Sequence, residues 1–139
     1  MRKRVLLIDD DLVGCYLISS MIKEINPDSE IIVANDGNEA LNILLESQDI
    51  LNLENNNKLP ELIFLDIHMP VMDGIEFLDV IFKLHIVKNN NIPIYLLTSS
   101  DYHKDYEKAS NFKIAGYIAK PISNELLESI INGYEKVNK

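Results

Sequence analysis

The sequence predicts an α/β fold on a doubly wound parallel sheet, and three observations carry that expectation. Short apolar runs recur at Val5 to Ile8, Leu62 to Leu65, Ile94 to Leu97 and Tyr117 to Ala119, with Ile31 to Ala34 as a weaker fifth. The runs are continuous rather than alternating, the pattern of strands buried on both faces of a parallel sheet. Segments of helical periodicity fall between them, where parallel strands require crossovers.

The elements follow in order. Leu12 to Ile25 sets Ile18, Met21, Ile22 and Ile25 on one helical face and stops at Asn26-Pro27, since proline disfavours helix in the residue before it. Asp36 and Glu39 have capping-box spacing for a second helix with a stripe of Leu41, Leu44, Leu45 and Leu51. Gly74 to about Val87 reads as the third helix. The polar stretch from Asp101 to Phe112 reads as a fourth with a thin apolar face. Ser123 caps the last, in which Leu127, Ile130, Ile131 and Tyr134 recur at helical spacing. The asparagine clusters at Asn55 to Asn57 and Asn89 to Asn91 mark loops.

A chain of 139 residues has the size of one domain, so a single domain over 1–139 with no output domain is expected. With 47% hydrophobic and 25% charged residues it should pack a core rather than stay disordered. No apolar stretch is long enough for a membrane span. The basic start, Met1 to Arg4, leads into only a short apolar run ending in three aspartates, which does not make a leader peptide, and the expected location is the cytoplasm. A net charge of −9 argues against direct nucleic-acid contact, which draws on clustered Lys and Arg. Cys15, the only cysteine, reads as a small buried hydrophobe of the first helix.

In doubly wound sheets ligands bind beyond the carboxyl ends of the strands. Those positions hold Asp9, Asp10 and Asp11, then Asp66, then Thr98 and Ser99, then Lys120. Carboxylates about 4 Å apart repel by roughly 4 kcal/mol at an effective dielectric near 20, so such a group calls for a cation or a raised pKa. Mg²⁺, a hard ion that prefers oxygen, suits it. A cation, a lysine and a hydroxyl together would neutralise a phosphoryl group, and Asp66 is the candidate nucleophile.

Four blocks now resemble the response-regulator receivers: Val5-Leu6-Leu7-Ile8-Asp9-Asp10-Asp11, Leu65-Asp66-Ile67-His68-Met69-Pro70-Val71-Met72-Asp73-Gly74, Leu97-Thr98-Ser99, and Gly116-Tyr117-Ile118-Ala119-Lys120-Pro121. The resemblance covers essentially the whole chain. It implies a flavodoxin-like five-stranded sheet in the order 2-1-3-4-5 with helices on both faces. It further implies a phosphoacceptor signalling domain rather than an enzyme, with Mg²⁺-dependent self-phosphorylation from a donor and autodephosphorylation. Asp66 would take phosphate from a histidine kinase or histidine phosphotransfer protein. Asp10, Asp66 and the main-chain carbonyl of His68 would hold Mg²⁺, with Asp9 assisting through a bound water. Lys120 would pair with the phosphoryl oxygens, the Thr98 hydroxyl would move to them, and Tyr117 would rotate inward, altering the face read by a downstream protein acting in trans. A cis peptide is expected at Lys120-Pro121, a turn into the third helix at Asp73 and Gly74, and a monomer or weak dimer without membrane or nucleic-acid contact.

Other residues have plainer readings. Asp11 is either a third pocket acid or a cap for the first helix. The His68 ring reads as a solvent-facing loop side chain, because His85 and His103 form no ligand spacing with it. Tyr95, Tyr102 and Tyr106 have no placement like that of Tyr117. The run Asp101, Lys104, Asp105, Glu107 and Lys108 reads as a solvated helix face. The rival function is an aspartyl-phosphate phosphohydrolase of the haloacid-dehalogenase type, with Asp9 as nucleophile and Asp11 as acid/base. It lacks a strand ending in paired acids after the lysine and leaves Asp66 without a role.

Overall fold

A computed structural model describes residues 3–47, 59–87, 91–99 and 103–133. Strands and helices alternate: β1 (Arg4–Ile8), α1 (Leu12–Ile25), β2 (Glu30–Ala34), α2 (Gly37–Ser47), β3 (Leu62–Asp66), α3 (Gly74–Lys83), β4 (Ile94–Thr98), α4 (His103–Ala109), β5 (Gly116–Ala119) and α5 (Asn124–Ile131). All strand pairings are parallel, and the order is β2-β1-β3-β4-β5. The chain steps from β1 outward to β2 and then back past β1 to β3, which puts the reversal between the two central strands.

Strand residues point alternately to opposite faces. Leu6, Ile8, Ile63, Leu65 and Leu96 meet Ala40 and Leu44 of α2, Phe77, Leu78 and Ile81 of α3, and Ala109 of α4. Val5, Leu7, Phe64, Tyr95, Leu97 and Ile118 meet Cys15, Ile18 and Ile22 of α1 and Leu127, Ile130 and Ile131 of α5. Both residue sets are apolar because both faces are covered. That is why the runs read as continuous, and it confirms the expected doubly wound sheet.

The local signals act as the sequence implies in most places. Asp36 accepts from the Glu39 N–H at 2.8 Å, while the Glu39 carboxylate reaches the Asn35 N–H at 3.2 Å, one residue before the position of a reciprocal box. Ser123 caps α5 by accepting from the Leu126 N–H at 3.2 Å. Helix α3 opens with a complete capping box, Asp73 to the Glu76 N–H at 2.9 Å and Glu76 back to the Asp73 N–H at 3.2 Å.

Three expectations are revised. Helix α3 ends at Lys83 rather than near Val87, because His85 takes φ 61°, a left-handed conformation that cannot continue a right-handed helix. Helix α4 closes at Ala109 rather than Phe112, where the Ala109 carbonyl instead accepts the Phe112 N–H at 2.9 Å in a tight turn. Leu45 of the α2 stripe is exposed. Leu51, Tyr134, Asn55 to Asn57, Asn89, Asn90, Asp101 and Tyr102 lie outside the described residues. Among the described residues no helix is long and apolar enough to cross a membrane.

Candidate functional site

The parallel register carries the strand ends to one edge. Ile8 lies beside both Ala34 and Leu65, Asp66 beside Leu97, and Thr98 beside Ala119. The ladder extends one residue further: the Asp9 N–H donates to the Ala34 carbonyl at 3.0 Å and the Lys120 N–H to the Thr98 carbonyl at 2.7 Å. Asp9, Asp66, Thr98 and Lys120 therefore project from one rim, although up to 111 positions separate them in the chain.

Asp9 is fully buried and Asp66 nearly so, while Asp10 is exposed. One carboxylate oxygen from each of Asp9, Asp10 and Asp66 can be chosen so that all three lie within 4.8 Å of one another. Lys120 Nζ donates to Asp9 Oδ2 at 2.7 Å and lies 3.5 Å from Asp66 Oδ2. The Asp11 N–H donates to Asp9 Oδ1 at 3.0 Å, and the His68 N–H donates to Asp66 Oδ1 at 3.2 Å. Below this layer the Cys15 thiol donates to the Asp9 carbonyl at 3.4 Å. Its burial, reinforced by the negative charges of Asp9 and Asp11, raises its pKa to about 11, so it stays a thiol and packs as a hydrophobe.

The electrostatics follow from these positions. Burial, then the charge of Asp9, push the Asp66 carboxyl up to about 6, against the opposing pull of Lys120. At neutral pH it is still mostly ionised. Burial works against the charge of Lys120, but its hydrogen bond to Asp9 and the charges of Asp66 and Asp9 more than offset that and raise its pKa above the ordinary value. One ammonium thus pairs with two of the three clustered carboxylates, and the excess negative charge together with an all-oxygen donor set fits a hard cation such as Mg²⁺.

Thr98 is buried, and its hydroxyl has no hydrogen-bond partner among the described residues. A buried hydroxyl left unpaired costs about 1–3 kcal/mol, so this one is available to an incoming acceptor. Tyr117 is 39% exposed, and its ring meets Tyr106 edge-on with centroids 4.7 Å apart. The Lys120–Pro121 peptide is cis. Gly74 does more than open a turn. A Cβ there would lie 2.6 Å from the Asp66 carbonyl oxygen and 2.7 Å from Ile67 Cα, so only glycine lets α3 start against the backbone of Asp66.

Asp11 occupies the N-cap position of α1 without a capping hydrogen bond from its side chain, and it is not one of the three clustered acids. One reading of the sequence is corrected, that of Asp105, and those of His68 and Tyr106 are extended. The His68 ring is half-exposed but not merely solvated: its Nε2 lies 2.9 Å from Asp105 Oδ2, and Asp105 is buried rather than part of a solvated face. Tyr106 is the neighbour of Tyr117, which sequence spacing did not indicate, since the two lie on different elements.

A parallel α/β sheet with buried acids, a lysine and a free hydroxyl at its carboxyl edge defines a phosphoacceptor class of site. The response regulator receiver domain family matches residues 5–132, and the chain belongs to it. Hybrid signal transduction histidine kinase I of Dictyostelium discoideum is 30% identical over 130 residues, which cover 94% of this chain and 7% of that protein. Response regulator Rcp1 of Synechocystis sp. is 28% identical over 133 residues, 96% of this chain and 86% of Rcp1. A Mn²⁺-bound structure of Rcp1 matches with a TM-score of 0.68 at 27% identity, over 96% of this chain and 92% of that one. The crystal structure of a two component response regulator from Cytophaga hutchinsonii matches with a TM-score of 0.80 at 28% identity over 100% of both chains. The chain is thus a receiver domain of two-component signalling, a family phosphorylated by histidine kinases or phosphotransfer proteins. The phosphohydrolase reading is set aside. The family match over residues 5–132 is to receivers, and it gives Asp66 the role that reading left empty.

Proposed function

We propose that Asp66 is the phosphoacceptor of a cytoplasmic switch that takes its phosphoryl group from a phosphohistidine and presents a changed surface to a partner protein. The observation that carries this reading is the meeting of Asp9, Asp10, Asp66 and Lys120 beside the unpartnered Thr98 hydroxyl. An Asp66 carboxylate oxygen attacks the phosphorus; the P–N bond breaks, and its electron pair leaves with the donor imidazole nitrogen. The product is an acyl phosphate. Lys120 is drawn from Asp9 toward the new phosphoryl oxygens, and the Thr98 hydroxyl donates to one of them. Asp10, Asp66 and the His68 main-chain carbonyl, with Asp9 assisting through a bound water, would hold Mg²⁺, which when bound would supply positive charge to the site. On this reading the same site would also carry Mg²⁺-dependent self-phosphorylation from a donor and autodephosphorylation.

With Thr98 moved, Tyr117 gains room to turn inward, which alters the surface near α4, β5 and α5. Leu12, Val13, Tyr16 and Leu17 form an exposed apolar face on α1 directly after Asp10 and Asp11. Because the donor imidazole must reach Asp66, this face is suited to docking the phosphohistidine protein.

The test is incubation with Mg²⁺ and acetyl phosphate followed by intact mass. One hydroxylamine-labile phosphoryl adduct is expected in the wild type and none in Asp66→Asn. Phosphate turnover that survives Asp66→Asn and vanishes in Asp9→Asn would overturn the assignment.

A further inference from the structure

Helix α4 touches the site's surroundings in two places. Its Asp105 holds the ring of His68, two residues beyond Asp66, and the next residue, Tyr106, holds Tyr117 of β5. We propose that this chain of contacts is a second route, separate from movement of Thr98, by which events at Asp66 act on Tyr117, and that Asp105 is its positioning residue. The proposal rests on Asp66 being the phosphoacceptor.

The chemistry of each link supports it. Asp66 Oδ1 accepts the His68 N–H, so a phosphoryl group or cation taking that oxygen competes with the bond that fixes the loop. A carboxylate only accepts, so the Nε2 facing Asp105 carries a hydrogen in either charge state of the ring, and the contact needs no change of protonation. The Asp105 side chain is 12% exposed while that of His68 is 54% exposed. The acid is thus the buried partner, and moving the loop without Asp105 would strip a buried carboxylate of this hydrogen bond. The cheaper response is for α4 to follow the loop. Tyr106 then shifts with the helix and releases or re-forms the edge contact that holds Tyr117 outward. By linkage, the position of α4 must act back on occupancy at Asp66.

The experiment follows α4 and β5 amides and the Tyr117 ring by NMR as Mg²⁺ and beryllofluoride, a phosphoryl mimic, are added. Wild type shows shifts at α4 and Tyr117. Asp105→Ala still takes up one phosphoryl group from acetyl phosphate, but those shifts fall roughly twofold or more because one of two couplings is gone. Asp105→Asn, which keeps an acceptor oxygen, retains them. His68→Ala, a change at a half-exposed side chain that should not threaten folding, lowers the α4 and Tyr117 shifts per phosphoryl mimic bound as Asp105→Ala does, and the double variant lowers them no further. Full shifts in Asp105→Ala or His68→Ala, or additive effects of the two, would overturn the route. A wild type that takes up no phosphoryl group would instead overturn the phosphoacceptor reading.

Discussion

Asp66→Asn should make the metal-free protein more stable at neutral pH. Folding moves the Asp66 carboxyl from its ordinary 3.8 to about 6, chiefly by burial. At 1.36 kcal/mol per unit this is a cost of at most about 3 kcal/mol for holding the group ionised in the fold. The folded state binds the proton more tightly than the unfolded chain does. The contribution of the group is therefore most favourable below about pH 4, is lost as pH rises toward 6, and stays lost above that. Asparagine keeps an acceptor for the His68 N–H but deprives Lys120 of one of its two carboxylates, so the net gain should be about 1–3 kcal/mol at pH 7.5. Urea unfolding followed by circular dichroism in EDTA, at pH 7.5 and at steps down to pH 4, measures it. The gain should shrink as pH falls, and added Mg²⁺ should stabilise the wild type more than the variant. A destabilised Asp66→Asn, or a gain that does not change with pH, would refute the assignment of this cost to the Asp66 carboxylate.

Other substitutions separate folding from switching. Thr98→Ala removes a hydroxyl with no partner among the described residues, a relief of about 1–3 kcal/mol, together with a buried methyl group worth about 1 kcal/mol, so unfolding free energy should stay level or rise while the phosphorylation-induced NMR change at Tyr117 weakens. Lys120→Ala should leave the fold intact but cost about 3 kcal/mol without metal, the lower end for breaking a buried pair because Lys120 is itself partly exposed, and Mg²⁺ should recover part of that in urea titrations. The same variant should respond less to full phosphorylation, and an undiminished response would count against the signalling role of Lys120. Gly74→Ala forces a methyl group to 2.6 Å from the Asp66 carbonyl oxygen and should destabilise by about 2 kcal/mol or more while impairing phosphoryl uptake; unchanged unfolding and uptake would show that the approach can relax.

The sequence by itself determined the sheet, because a strand buried on both faces must be apolar throughout and Val5 to Ile8, Leu62 to Leu65 and Ile94 to Leu97 are. It also determined which residues stand at the strand ends, since the side chain after a buried strand emerges where the chain leaves the sheet. What it could not supply were contacts between elements distant in the chain. His68 and Asp105 are 37 residues apart, and nothing in a charged run tells whether its second acid points to water or inward. Tyr106 and Tyr117 meet only because α4 packs beside β5. The end of α3 was illegible for a different reason: histidine tolerates the left-handed conformation that His85 adopts better than most residues do, but a lone histidine is too weak a mark of it to end a helix on sequence. Local pattern fixes periodicity and caps, which depend on neighbours in sequence, whereas the partner of a polar side chain is chosen by how helices settle on the sheet. Tertiary packing alone decided that Lys120 rests closer to Asp9 than to Asp66 and that the Thr98 hydroxyl is left unpaired.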